Sequence, residues 1–250
     1  MSEKAPTSPA VKALKFFLKA IGLLLVFGTT AFFLWRVFSS GNPKELERLT
    51  PNAPLRDACL AAEAEGESLL VLTQFQQDYI TSVPDKNYGY FAVTDTKFIP
   101  AAEQVQVLFR YNNSTIRHLK EDYKLDAMPD RDDDLYDVTL YVAYDLTPDV
   151  DTDNDGEQYP ESIKFVRYHA TESISDKKNL YNYRKLIFDG VEQSDKDLPI
   201  LAVYVDFYYI GDVDYEKEAY GALPLYFHSE PWDTYEPSKA EWEVIRNYND

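Results

Sequence analysis

The longest apolar stretch of the chain covers residues 14–38 and contains sixteen consecutive uncharged residues from Ala20 to Trp35. A bilayer core of about 30 Å requires roughly 20 apolar residues in a helix. Lys19 and Arg36 flank the uncharged run, and their long side chains can reach the two headgroup layers. We therefore predict a membrane-spanning helix over residues 14–38, preceded by a disordered cytoplasmic tail over residues 1–13.

Basic residues on the two sides of this stretch set the expected orientation. Four lysines precede the uncharged run and three Arg or Lys residues follow it, which favours a cytoplasmic N-terminus and an extracytoplasmic remainder. A cleaved signal peptide is the alternative. It is disfavoured because Trp35, Arg36 and Phe38 occupy the region where a signal peptidase requires small, uncharged residues. The pattern favours an uncleaved, single-pass anchor in a cell membrane.

The next segment predicts a helical juxtamembrane stalk over residues 39–66, with a helical lid on the following domain as the alternative. Asn42 followed by Pro43 is typical of a helix start, because proline is well tolerated at the first helical position. A second helix is predicted over residues 55–65, where Leu55, Cys59 and Ala62 share one face. Cys59 there is interpreted as a small buried apolar residue.

From residue 67 onward, short runs rich in Val, Ile, Tyr and Phe alternate with polar turns. Gln104–Tyr111 shows the period of two that is typical of a strand, with Val105 and Phe109 on one face and Gln104 and Gln106 on the other. Further strands are predicted over residues 90–93, 137–145, 163–169, 183–189, 199–210 and 222–228. Helices are predicted over residues 115–123 and, from a capping box, after Ser238. The sequence thus predicts a mainly β fold: an antiparallel, immunoglobulin-like β-sandwich over residues 67–250 with short flanking helices.

The charge distribution restricts the possible partners. The whole chain carries a formal charge of −18, and residues 1–40 contain five Lys or Arg and one Glu, so the remaining 210 residues carry about −22. Such a charge repels the phosphates of nucleic acids and argues against that class of ligand. The chain contains a single cysteine and therefore no internal disulfide, which suits a bacterial envelope protein, although a cytosolic domain would show the same.

One loop resembles the opening of an EF-hand or dockerin-like calcium loop. Its residues Asp151-Thr-Asp-Asn-Asp-Gly156 place carboxylates at alternate positions and glycine at the sixth, as a wrapped calcium ion requires. The resemblance implies a Ca²⁺ site with the following candidate ligands: Asp151, Asp153, Asp155, Glu157 and Glu161. The twelfth position is Ser162 instead of glutamate, and an acidic surface turn is the alternative interpretation.

Established catalytic strings are missing from the sequence. It contains no H-E-x-x-H, G-x-S-x-G, P-loop or G-x-G-x-x-G motif. The aromatic residues Trp232, Tyr235, Trp242 and Tyr248 are interpreted as docking a terminal helix, with a stacking surface for sugars or peptides as the alternative.

The resulting hypothesis is a non-enzymatic binding module of the cell envelope, held by one membrane span, with a protein or cell-wall polymer as partner. A membrane-anchored hydrolase acting on wall glycan or peptide is the second hypothesis. An accessory subunit of a membrane protein complex is the third.

Overall fold

The computed structural model describes residues 9–39, 41–73, 78–81, 89–124, 136–145, 163–179, 181–192, 200–209, 221–225 and 236–249. The chain divides into two compact units at residues 41 and 42. The first unit contains the N-terminal helix, and the second contains all of the sheets.

The N-terminal unit is formed by one long helix, α1, over Pro9–Ser39. Within a segment of 28 residues, Pro9–Arg36, a window of 18 residues has a mean hydropathy of 2.0 and no buried side chain, so the segment is long and apolar enough to cross a membrane. The Thr29 hydroxyl donates to the Leu25 carbonyl one turn earlier, which satisfies this polar group within the helix. The helix begins five residues before the predicted start at residue 14.

The second unit contains ten described strands and four further α-helices. The strands are β1 (Leu72–Thr73), β2 (Asp78–Thr81), β3 (Gly89–Ile99), β4 (Gln104–Asn112), β5 (Tyr136–Asp145), β6 (Ile163–His169), β7 (Glu172–Lys178), β8 (Tyr181–Asp189), β9 (Ile200–Tyr209) and β10 (Gly221–Leu225). The helices are α2 (Lys44–Glu47), α3 (Ala53–Glu65), α4 (Asn113–Tyr123) and α5 (Lys239–Arg246), and a 3₁₀ turn covers Pro100–Ala102.

The strands form two antiparallel sheets. The six-stranded sheet has the order β3-β4-β8-β7, with β1 and β2 both paired to β3 at its other edge. The four-stranded sheet has the order β10-β9-β5-β6. The prediction of a β-rich fold with antiparallel sheets and flanking helices is confirmed.

The two sheets share one hydrophobic core. Alternate residues of β4 and β8 from one sheet, and of β5 and β9 from the other, belong to a single buried cluster. Phe91 stacks on Phe207 across the two sheets, with ring centroids 4.5 Å apart, and Phe109 meets Phe207 edge to face at 5.5 Å. Aromatic side chains therefore fill the space between the sheets, as the alternation in the sequence predicts.

A helical layer covers the opposite side of the six-stranded sheet. A second buried cluster joins Leu55 and Cys59 of α3 to Ile99 of β3 and Ile245 of α5. Cys59 is fully buried as predicted, and burial raises the pKa of its thiol to about 11. Residues 42–66, for which the sequence suggested a stalk, lie in the same compact unit as the sheets.

Capping residues fix the ends of these helices. The Asn52 side chain accepts from the Leu55 amide at the start of α3, and Gly66 ends that helix with a positive φ of 71°. The predicted capping box of Ser238 and Glu241 opens α5 and is confirmed.

Candidate functional site

The predicted calcium ligands lie outside the described residues. Asp151, Asp153, Asp155, Glu157 and Glu161 belong to the connection between β5 and β6. The ends of these strands are described, and Asp145 pairs directly with Ile163. Elsewhere, over the part of the chain that the structure describes, no cluster of three or more His, Cys, Asp or Glu side chains could hold a metal ion. The calcium site stays a prediction.

The described residues that best form a recognition surface lie on the outer side of the four-stranded sheet. Residues of β5, β6 and β9 alternate between the shared core and this outer side. We define the aromatic face as Tyr141, Phe165, Arg167, Asp206 and Tyr208. The strand register places these side chains together. Tyr141 of β5 pairs with Arg167 of β6, and Asp206 of β9 lies two residues beyond the β9 partner of Tyr141, on the same side of the sheet.

The rings and the guanidinium of this face form a continuous stack. Phe165 lies parallel to Tyr141, with centroids 5.3 Å apart and an interplanar angle of 5°. The Arg167 guanidinium lies over the Tyr141 ring at 4.7 Å and over the Tyr208 ring at 4.9 Å. Both distances are within the range in which a cation is attracted to an aromatic ring face. Phe165 therefore stands at one end of the stack and Tyr208 at the other.

Hydrogen bonds and charge hold Arg167 in this position. Its Nη1 donates to Thr139 Oγ1 at 2.9 Å and to Asp206 Oδ2 at 3.4 Å. Burial raises the pKa of Asp206, and the Arg167 charge opposes that rise. Burial and the negative charge of Asp206 raise the pKa of Tyr208. Asp206, which has the opposite charge, thus holds Arg167 in place. Arg167 in turn contacts the rings of Tyr141 and Tyr208 and holds them in position.

Exposure increases along the stack toward Phe165. Tyr208 is buried at one end, whereas Phe165 is 53% exposed at the other. A large apolar ring that is ordered by stacking but open to solvent can bind a flat or cationic group without first being organised. The arrangement suits recognition.

A second polar cluster lies between the six-stranded sheet and its helical layer. Lys97 and Lys185 are almost completely buried there, at 3% and 1% exposure. Lys97 forms an ion pair with Asp95, and Lys185 Nζ donates to the Arg48 carbonyl. Burial, aided by the positive charge of Lys97, lowers the pKa of Lys185 to about 7. The hydrogen bond of Lys185 thus joins the end of α2, at Arg48, to β8 of the sheet.

Among the residues that the structure describes, the two carboxyl groups whose pKa is raised lie on different sheets. One is Asp206 in the aromatic face; the other is Glu172 of β7, whose pKa is raised by burial and by the nearby charge of Asp189. Asp189 itself accepts from the side-chain amides of Asn52 and Gln104, which ties it to the cap of α3. Glu172 and Asp206 therefore cannot serve as acid and base in one cleft.

Sequence reasoning did not identify the aromatic face. It considered instead the four C-terminal aromatics, of which Trp232 and Tyr235 lie outside the described residues. Trp242 packs against the cluster of α3 and α5, in agreement with the docking interpretation. The signal for the aromatic face was present in the alternation of β5 and β6, but only the register between the strands brings Phe165 and Arg167 to Tyr141.

Comparison with known proteins adds no relative from which a function could be transferred: no family model, curated protein or solved structure matches this chain.

Proposed function

We propose that this chain is a single-pass membrane protein whose second unit is a non-enzymatic interaction module on the outer side of a bacterial cell membrane. The observation that carries the proposal is the exposed ring of Phe165, which stacks on the half-buried Tyr141 beside Arg167. In this proposal α1 is the anchor, the N-terminus is cytoplasmic, and the aromatic face binds a partner in the cell envelope. The thin excess of lysines before the uncharged run supports this orientation.

The order of the strands supports an immunoglobulin-like sandwich. Immunoglobulin domains place strands A-B-E-D in one sheet and G-F-C in the other, and variable-type domains add C′ next to C. The order β3-β4-β8-β7 corresponds to A-B-E-D, and β10-β9-β5-β6 corresponds to G-F-C-C′. The chain also changes sheet at the same steps, between β4 and β5, β6 and β7, and β8 and β9. In this assignment the aromatic face lies on the C′, C and F strands.

One experiment on intact cells tests both orientation and binding. A membrane-impermeant, amine-reactive crosslinker is added to cells that express the full chain, which is then purified in a mild detergent. We expect the lysines of the second unit to react and a larger crosslinked species to appear. We expect this species to be lost from Phe165→Ala and retained in Val244→Ala, which removes an exposed apolar side chain from α5.

The two parts of the proposal fail differently in this experiment. Lysines that react only after lysis would reverse the orientation and remove the envelope assignment. Lysines that react on intact cells without any crosslinked species would contradict the interaction function. A species of fixed stoichiometry that survives in Phe165→Ala would indicate an accessory subunit that binds through another surface.

We further propose that Ca²⁺ stabilises the connection between β5 and β6. Millimolar calcium is expected to release or absorb heat in titration calorimetry and to raise the thermal midpoint, because it would neutralise Asp151, Asp153 and Asp155. Asp153→Asn should weaken the response, whereas Asp176→Asn, which changes an exposed acid of β7, should leave it intact. An absence of heat together with an unchanged midpoint would remove the calcium proposal.

A further inference from the structure

We infer that the open face of Phe165 binds a cationic side chain, preferably arginine, of a basic partner protein. This inference rests on the proposed interaction function and specifies its chemistry. The geometry of the stack and the charge of the second unit both favour a basic protein.

The stack already binds one guanidinium in the manner required. Arg167 lies at 4.7 Å and 4.9 Å from two ring centroids on this same surface. Phe165 covers Tyr141 through one ring face, with an interplanar angle of 5°. Since 53% of Phe165 is exposed, this ring is accessible to a ligand although it also stacks on Tyr141. A second guanidinium over the exposed part of this ring would extend the stack by one member.

The electrostatics of the rings favour a cation at this position. The face of an aromatic ring carries partial negative charge, and a cation over it is attracted without a carboxylate being present. A guanidinium is flat and less strongly hydrated than an ammonium, so it stacks with a smaller loss of solvation. Arginine is therefore preferred over lysine as the group that contacts Phe165.

The net charge selects the class of macromolecule. Residues 41–250 carry about −22, since the whole chain carries −18 and residues 1–40 carry five Lys or Arg and one Glu. This charge attracts a basic protein over distances of about a Debye length and repels an anionic wall polymer. Long-range attraction would bring the partner close, and Phe165 would provide the local contact that distinguishes arginine from other cations.

The test uses the full chain in phosphatidylcholine nanodiscs, whose neutral lipid does not attract the probe. The probe is a fluorescein-labelled peptide of alternating arginine and glycine, and its binding is followed by fluorescence anisotropy at 150 mM salt. Phe165→Leu keeps an apolar side chain but removes the ring, and we expect the dissociation constant to rise about threefold to thirtyfold. Phe165→Trp should bind at least as tightly as the parent, because tryptophan is the best cation–π acceptor.

Two controls separate this contact from general attraction to an acidic protein. Val244→Ala removes an exposed apolar side chain of α5 and should bind the peptide as the parent does. A lysine–glycine peptide of equal charge should bind more weakly to the parent and show little dependence on Phe165. Equal thermal midpoints of the variants confirm that the fold is unchanged.

Two outcomes would overturn the inference. One is equal affinity of the parent and Phe165→Leu for the arginine peptide. The other is Phe165-dependent binding of an N-acetylglucosamine trimer without Phe165-dependent binding of the peptide, which would assign the ring to a sugar. In either case, a crosslinked partner that is lost from Phe165→Ala on intact cells would leave the proposed interaction function standing.

Discussion

Phe207→Ala is expected to lower the thermal midpoint of the second unit by roughly 6–20 °C. Phe207 is fully buried and contacts Phe91 and Phe109 of the opposite sheet, with centroids 4.5 and 5.5 Å away. Removing such a ring costs about 3–5 kcal/mol, because the cavity between two sheets closes only in part. For a unit of about 200 residues, 1 kcal/mol corresponds to roughly 2–4 °C.

The same substitution at Phe165 provides a matched control. Phe165 lies on the outer side of the same sheet and is 53% exposed, so Phe165→Ala is expected to change the midpoint by no more than a few degrees. The measurement is tryptophan fluorescence during heating of the full chain in detergent micelles. If the two variants unfolded at the same temperature, Phe207 would not lie between packed sheets. The description of one hydrophobic core shared by the two sheets would then be wrong.

Local patterns were sufficient to predict most of the elements. The prediction of α1 follows from an uncharged apolar run that is longer than those in most helices of soluble domains. Alternation identified β4 and β5, and the apolar run that ends near residue 210 identified β9 as an interior strand, which lies between β10 and β5. The Ser238 capping box located the start of α5 to within one residue. In each case the determining interaction lies within a few residues of the pattern.

Burial of the outer side of the six-stranded sheet could not be predicted in this way. Gln104 and Gln106 alternate with valines on β4, and their polarity indicated a solvent-facing side, yet they are 0% and 1% exposed. The Gln106 side chain accepts from the Thr50 amide and donates to the Thr50 carbonyl, both at 3.0 Å. These partners are 56 residues apart in the sequence, so no local pattern indicates them.

The remaining omissions have a similar origin. The β7 strand, ESISDKK, is short of apolar residues because it pairs with β8 at the edge of the sheet, where charged side chains are favoured. The aromatic face depends on register, since Tyr141 meets Phe165 and Arg167 only if β5 and β6 pair as they do. A slip of β6 by one residue would move Phe165 and Arg167 to the core side, while Tyr141 of β5 would stay on the outer side.

Lys185→Met is expected to stabilise the second unit below neutral pH and to remove part of its pH dependence. Lys185 is 1% exposed on β8, and methionine has a similar unbranched shape without the amine. Burial, aided by the Lys97 charge, lowers the pKa of Lys185 from its ordinary 10.5 to about 7, while Asp95 and Glu241 oppose this shift. The folded chain therefore disfavours the charged amine that the unfolded chain retains.

The direction of the pH dependence follows from proton binding. Between about pH 7 and pH 10.5 the unfolded chain holds a proton on Lys185 that the folded chain has lost, so the stability of the parent rises with pH over this window. Below pH 7 both states are charged, and the penalty for burying the ammonium is fully present. At about 1.4 kcal/mol for each pKa unit, the gain from Lys185→Met at pH 6 is on the order of a few kcal/mol, or roughly 5–10 °C.

Near pH 10 the two proteins are expected to converge or to change order. The parent then carries a neutral amine that still donates to the Arg48 carbonyl, whereas methionine leaves that carbonyl without this donor, at a cost of about 1 kcal/mol. Thermal midpoints of both proteins from pH 6 to pH 10 measure the difference directly. Lys177→Met, which alters an exposed lysine of β7, should follow the parent throughout. A constant difference between Lys185→Met and the parent at every pH would show that Lys185 does not titrate with folding. The buried lysine would then act only through packing and its hydrogen bond to the Arg48 carbonyl.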